Sequence, residues 1–495
     1  MKENEISLKA AAFINITARY TNIILQIIAN AILARLLTAN DYGIIAIILV
    51  FTSFFVLLSD MGLGAGVIQN KQLKSDDIDN IYSMTIYAGI ALMGIFILLS
   101  YPISWFYNND VFIPVGSLLS ISVLFSTINI IPNAILMKQK RFKLAGIRTI
   151  VISVLSYVVA IILAYYGYKY YALVVQSLVL SSVTYLLNIW STKLKFKLKF
   201  KFSSVKKILG FSAYDFGFNI INYFARNTDS LLTGKFMSSA ALGFYSRAYN
   251  LMLYPVMNLT HVISPILHPI LSDHQDNKEY IFDKYLKVYK LLSLMGIFIS
   301  VFCYFSAHEL INIIYGPNWE STVPCMAALG VSIWFQMTSS SCGSIYRSLG
   351  MTSLMFKSVT RFVPIQLVMI FIGVLSKDIM TLSWCVSISF IIKYFIEYYY
   401  LVGKGFNKSV IGFLQKNTPE VFIVLLMCVV MLLIKNIPEN NVFASLGYKF
   451  FACLVTFIVG LVMTKQLKFL MPMVPNRYRN KYANFRLRKS QKNYL

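Results

Sequence analysis

The sequence predicts an all-α polytopic membrane protein with about 14 transmembrane helices. Three observations predict it. Apolar residues fill 57% of 495 positions and charged residues only 13%, about half the charge of an ordinary soluble domain. At roughly 20 apolar residues per span, that stock supplies about 14 helices. The 45 Lys and Arg against 20 Asp and Glu leave a net charge of +25, and the basic residues fall on alternate loops. The chain also matches itself at an offset of 200 residues.

Hydropathy and loop punctuation place six spans at 10–36, 43–68, 78–101, 112–136, 147–166 and 171–190. After a basic stretch come 209–236, 244–271, 286–307, 323–345, 355–375 and 380–401, then 421–434 and 446–464. The first is read as an uncleaved span, because Glu3 and Glu5 precede it and polar residues interrupt its apolar run. The expected organisation is an N-terminal six-helix lobe (1–191), a basic linker (192–207), a C-terminal six-helix lobe (208–402), two extra helices (403–466) and a basic tail (467–495).

With the N-terminus inside, about 35 of the 45 basic residues lie in inner segments and about 7 in outer loops. This positive-inside bias puts both termini in the cytoplasm of a cytoplasmic-membrane protein. It also absorbs the charge that would suggest nucleic acid in a soluble chain, so no nucleic-acid partner is expected. The outer loops leave no room for a catalytic domain.

The repeat is clearest after the first and seventh spans. Arg35-Leu-Leu-Thr-Ala-Asn-Asp-Tyr-Gly43 answers to Lys235-Phe-Met-Ser-Ser-Ala-Ala-Leu-Gly243. Within the spans, Asn15, Arg19, Asn22 and Gln26 form one helical face. Asp215, Asn219, Asn222, Arg226 and Asp229 form its counterpart 200 residues on. Two halves of six spans each share one orientation, related by an axis along the membrane normal.

Polar groups in a bilayer must face protein or water. The stripes therefore line a water-filled cavity between the lobes or hold a bundle together by interhelical hydrogen bonds. Their chemistry suits the cavity. Arg19 and Arg226 can hold phosphate oxygens bidentately, and Asn and Gln offer sugar hydroxyls both donors and acceptors. Asp229 either neutralises Arg226 or takes part in coupling, as does Asp215. Asp60 precedes Met61-Gly-Leu-Gly-Ala-Gly66, a loosened helix end suited to gating.

No P-loop, HExxH or GxSxG motif occurs, and the six cysteines form no CxxC pair. No bound cofactor or metal is expected, only a coupling proton or sodium ion. The linker Lys193-Leu-Lys-Phe-Lys-Leu-Lys-Phe-Lys-Phe202 alternates lysine and apolar residues. Period two implies an extended segment, either a topology anchor or a contact with anionic membrane lipids.

Ala34–Gly43, Asp60-Met-Gly-Leu-Gly64, Val67-Ile-Gln69, Ala225-Arg-Asn-Thr-Asp229, Leu242-Gly-Phe-Tyr-Ser-Arg-Ala-Tyr249 and Tyr315-Gly-Pro-Asn-Trp319 occur in order. This set resembles the polysaccharide (Wzx-type) flippases, nearest the colanic and teichuronic acid exporter branch. The resemblance implies the multidrug/oligosaccharidyl-lipid/polysaccharide exporter fold, with two six-helix lobes around a central cavity and two extra helices. It implies a non-enzymatic transporter that flips undecaprenyl-diphosphate-linked oligosaccharide by alternating access for surface polysaccharide assembly. A polysaccharide polymerase and glycosyltransferases would be its partners. Arg19 and Arg226 would take the diphosphate, and Asn15, Asn22, Gln26, Asn219 and Asn222 the sugars. The alternatives are a drug or cation antiporter and a peptidoglycan-precursor flippase of the same fold.

Overall fold

The computed structural model describes residues 8–139, 141–206, 213–272, 277–434 and 441–470. Helices occupy every expected span, and the described residues contain no strand. Nine of the described helical segments are long and apolar enough to cross a membrane. The chain is thus an all-α, multi-pass membrane protein. Several spans are broken. The fourth divides at Asn129, and the tenth is three short helices.

Two compact units divide the chain. The first holds Met1–Ser246 together with Asn312–Glu320 and Val374–Asp378. Its helices are α1 (Leu8–Leu36), α2 (Ala39–Asp60), α3 (Leu63–Gln69), α4 (Ser75–Tyr107), α5 (Phe112–Ile128), α6 (Ile130–Lys138), α7 (Phe142–Tyr165), α8 (Tyr171–Thr192), α9 (Phe202–Lys206), α10 (Ala213–Phe236) and the start of α11 (Ser239–Ser272). α4 lies along α5, α1 along α7, and α7 along α8. The unit runs past the expected boundary at 207 because α10 packs on α2 and α4. Three polar ties fix that packing. The Tyr107 hydroxyl donates to Leu231 O at 3.1 Å, the Tyr223 hydroxyl to Val50 O, and Lys235 Nζ to Phe106 O.

The linker is irregular from 193 to 201, with Lys193 at φ 53° and bends at 198–199, rather than evenly extended as its alternation implies, and it is docked on α4. Backbone N–H groups of Lys195, Lys197 and Lys201 donate to Asp79 Oδ1 (3.1 Å), Ser83 Oγ (2.9 Å) and Asn80 Oδ1 (3.1 Å). Lys197 Nζ pairs with Asp76, and Ser204 Oγ donates to Asp77 Oδ1 at 2.8 Å. The polar side chains of the first turns of α4 thus serve as acceptors for a chain segment outside regular structure. Leu194 and Val205 pack inward, while Leu198 is 82% exposed.

The second unit holds the rest of the described chain. Its helices are the remainder of α11, then α12 (Lys278–Phe305), α13 (Ala307–Ile314, which ends in the first unit), α14 (Thr322–Val331), α15 (Ile333–Ser339), α16 (Cys342–Ser348), α17 (Thr352–Leu375), α18 (Ile379–Tyr398), a π-helical turn Tyr399–Gly405, α19 (Val410–Gln415), α20 (Thr418–Ile434), α21 (Val442–Met463) and α22 (Leu467–Leu470). α12 is the hub, touching α14, α15, α20 and α21. Leu294, Ile297 and Val301 of α12 meet Ile423, Met427 and Met431 of α20 and Cys453, Phe457 and Leu461 of α21 in one apolar core.

Two buried ion pairs dock the helices that fall outside the repeat. Lys290 of α12 pairs with Glu420 in the first turn of α20, and Gln466 Nε2 donates to the other carboxylate oxygen at 3.1 Å. Glu309 of α13 pairs with Lys449 of α21 and accepts from Ser445 Oγ at 2.7 Å. Burial raises the Glu309 carboxyl, but the bonds from Lys449 and Ser445 outweigh it and hold the group below its usual range.

Losing one partner of a buried pair costs about 3–5 kcal/mol, whereas replacing both with apolar residues is close to neutral. Glu420→Gln should therefore lower the melting temperature of the purified protein sharply. Lys290→Met/Glu420→Met should recover most of the loss; equal loss in both would remove the pair from this role. Because the Glu309 value is depressed on folding, its stabilisation is present above about pH 4.3 and is lost as pH falls through the folded value. The melting difference between wild type and Glu309→Gln should shrink over that acid range and stay flat between pH 6 and 8.

Candidate functional site

The two polar stripes sit on α1 and α10, both in the first unit. α1 packs on α7 and α10 on α2; among the described residues, α1 and α10 share no extensive packing. Asn15 and Arg19 lie on the described backbone of α1, and Asp215 and Asn219 on that of α10, but their side chains are outside the described residues. Gln26 and Asn222 are half-buried. Asn22 Oδ1 is buried with no hydrogen-bond partner among the described residues. An orphaned buried acceptor of this kind is uncommon.

Arg226 and Asp229 part company. Arg226 is exposed and makes no ion pair with a described residue. Asp229 is 3% exposed and takes its bonds elsewhere. The Tyr245 hydroxyl donates to its Oδ2 at 2.6 Å, and Ser230 N donates to Oδ1 at 2.7 Å. Asp229 therefore does not neutralise Arg226 in this structure. Three residues is 300° of helix, a 60° offset, enough to turn one side chain outward and the other into the α10–α11 contact.

Asp60 is the last residue of α2, exposed, its Oδ1 accepting from Gly64 N at 3.3 Å. Met61 and Gly62 follow with φ of 39° and 78°. These left-handed residues end α2 before α3 begins, so the glycine-rich stretch is a true helix break.

The repeat glycines face each other's chains. A Cβ built on Gly43 would lie 1.7 Å from Ser239 O, and one on Gly243 would lie 1.8 Å from Ala39 O. The starts of α2 and α11 thus cross in reciprocal backbone contact that only glycine permits. Their caps repeat as well. Thr38 and Asp41 form a capping box on α2, and Ser238 Oγ accepts from Ala241 N at 3.0 Å on α11.

Beside this crossing, Arg35 donates to Ile313 O (2.8 Å) and Ile314 O (3.0 Å), and Trp319 Nε1 donates to Ala34 O (2.8 Å). The buried Trp319 ring meets Tyr42 and Phe244 edge-on, with centroids at 5.4 and 5.7 Å. Gly316 has a φ of 98°, a left-handed backbone that favours glycine, and it lies against the Arg35 side chain. Three segments remote in sequence, Ala34–Gly43, Gly243–Phe244 and Ile313–Trp319, therefore share one cluster. Sequence reading paired the first two by the offset; the tie from Arg35 to the 313–319 segment carried no periodic signal.

A family model described as "Polysaccharide biosynthesis protein" matches residues 32–324. The chain belongs to the polysaccharide biosynthesis protein family. All three segments of the cluster fall within the family match. The teichuronic acid biosynthesis protein TuaB of Bacillus subtilis is 23% identical over 75% of this chain and 78% of its own. The lipopolysaccharide biosynthesis protein WzxC of Escherichia coli is 24% identical over 67% of this chain and 68% of its own. The inward closed structure of the lipid II flippase MurJ superposes with a TM-score of 0.73, at 15% identity, over 91% of this chain and 98% of that one. An inward-facing multidrug transporter of the MATE family gives 0.60 at 12% identity, over 82% and 99%. These structural likenesses show the fold.

Gly43→Ala or Gly243→Ala must push the crossing apart, at an overpacking cost of about 1–3 kcal/mol or more. Each should lower the melting temperature and raise thiol labelling of a cysteine placed at Ser239 or Ala39. Unchanged melting and labelling in both variants would mean the crossing is not held by this glycine contact.

Proposed function

We propose that this protein is a flippase that carries undecaprenyl-diphosphate-linked oligosaccharide across the cytoplasmic membrane by alternating access, for assembly of a surface polysaccharide. Family membership and the likeness to TuaB and WzxC support the pathway. The single observation that carries the mechanism is Arg226, an exposed guanidinium on a polar face of an apolar helical protein, with no ion pair among the described residues. A cation in that setting needs a mobile anion, and a diphosphate is one.

In this reading Arg19 and Arg226 attract the diphosphate. Asn15, Asn22, Gln26, Asn219 and Asn222 bond the sugars. The prenyl tail stays in the lipid between helices. Both termini face the cytoplasm, and the α2–α11 crossing closes the outer end, opening once per cycle. The break at Met61–Gly62 beside Asp60 supplies a hinge. The chain acts as a transporter rather than a catalyst, with a polymerase and glycosyltransferases on either side of its step.

Asp229, buried against Tyr245, is the candidate for coupling to a proton or sodium ion, with Asp215 as second candidate. That same carboxylate favours the competing reading, a drug or cation antiporter, whereas a peptidoglycan-precursor flippase would share the diphosphate chemistry.

Each charge-assisted contact to phosphate is worth about 1.5–3 kcal/mol, tenfold or more in binding. Arg19→Gln/Arg226→Gln should abolish flipping of lipid-linked oligosaccharide in vesicles while protein levels hold. Full activity in the double variant would sink the assignment. Small-cation export that survives it and is lost in Asp229→Asn would establish the antiporter instead.

A further inference from the structure

The second unit carries an open groove of about 530 Å³ where α17, α18, the π-helical turn and α19 meet. Its wall is apolar, with Ile365, Phe395, Tyr399 and Val410 contributing, and Ile365 and Phe395 are also exposed outward. One charge lines it, Arg361. That side chain is exposed, makes no ion pair with a described residue, and stacks its guanidinium 5.5 Å from the Tyr400 ring centroid. Tyr400, also in the lining, is 5% exposed, and its hydroxyl is buried with no hydrogen-bond partner among the described residues. Lys404 lies 5.8 Å over the Tyr399 ring.

We infer that this groove is a binding site for one anionic phospholipid, its phosphodiester held by Arg361 over the Tyr400 ring and an acyl chain lying along the apolar wall. An exposed guanidinium in an apolar groove asks for an anionic acceptor, and it takes phosphate oxygens bidentately. The phosphodiester carries one negative charge, which one guanidinium balances; a diphosphate would leave charge uncompensated beside apolar rings. Lys404 at the rim disfavours a headgroup that brings its own ammonium, so an uncharged glycerol headgroup fits better than choline. Placement in the inner leaflet rests on the orientation given under the proposed function, whereas the lipid preference does not.

The test uses the full-length protein in nanodiscs of equal phosphatidylglycerol and phosphatidylcholine, with retained lipid counted by native mass spectrometry. Wild type should keep phosphatidylglycerol over phosphatidylcholine. Arg361→Gln should cut that preference about tenfold, the worth of a charge-assisted bond. Tyr400→Leu, which removes the ring that Arg361 stacks on, should cut it by about fivefold or less, and Arg361→Lys should keep part of it. Melting in phosphatidylcholine-only discs checks that each variant is folded; should Arg361→Gln not fold, Tyr400→Leu and the salt dependence of wild-type retention decide. Equal retention by wild type and the folded variants would overturn the site. So would preferential retention of undecaprenyl phosphate added to the discs. Flipping is not read in this experiment, so a failed transport assignment and a failed lipid site give different results.

Discussion

Two carbonyl oxygens, Ser239 O and Ala39 O, occupy the space where the side chains of Gly43 and Gly243 would begin. Much of the first unit depends on that exchange. It brings the starts of two helices together, and each start carries about half a positive charge. Like ends repel unless screened. Asp41, locked in its capping box with Thr38, places a carboxylate on one of them, and Ser238 satisfies an N–H of the other. Arg35 is drawn to the opposite kind of pole, the carbonyls of Ile313 and Ile314 at the end of α13. Each group at this junction is matched to the dipole it faces, and the glycines set how closely the helices can approach.

The cost of charge in apolar surroundings sorts the remaining ionic residues. Lys290, Glu420, Glu309 and Lys449 are buried and paired, and they attach α20 and α21 to α12 and α13. Such pairs add little net stability over apolar packing, yet each forbids a register in which either partner is alone. They suit helices that lie outside the repeat and have no symmetry partner to position them. Arg226 and Arg361 are the reverse case. They are exposed and make no ion pair with a described residue, so their charge is solvated or open to an anion rather than spent on fixing one helix to another.

The fold was legible where one property repeats along the chain. Apolar length placed the long helices, though not short ones such as α9 and α19, and the offset of 200 paired Gly43 with Gly243, whose neighbouring chains the structure brings into contact. The broken spans were harder to see, because Asn129 and Ser332 are single residues within apolar runs and hydropathy averages over them. Docking of the linker was also hidden. Asp76, Asp77 and Asp79 read as ordinary acids of a helix start, and only the folded chain shows them accepting from Lys197 Nζ, Ser204 Oγ and the N–H of Lys195. Alternation predicted an extended segment; the acceptors on α4 bend it at 198–199 instead, and no pattern within the linker names the surface it lies on. The tie from Arg35 to the 313–319 segment joins residues about 280 apart, and no local pattern encodes such a contact.

The stripes divide in the same way. Spacing of three and four put Arg226 and Asp229 on one face, and on an isolated helix they would pair. In the folded unit the 60° between them decides otherwise, because Tyr245 on α11 lies on the Asp229 side. Its hydroxyl is a better partner there, being already buried and 2.6 Å away. Tyr245 lies two residues past Gly243, so the crossing that lets α11 approach α2 also positions the hydroxyl that takes Asp229. The freedom of Arg226 then follows from that bond: with Asp229 held by Tyr245, the nearest acid in sequence is spent and the guanidinium on the polar face keeps its charge.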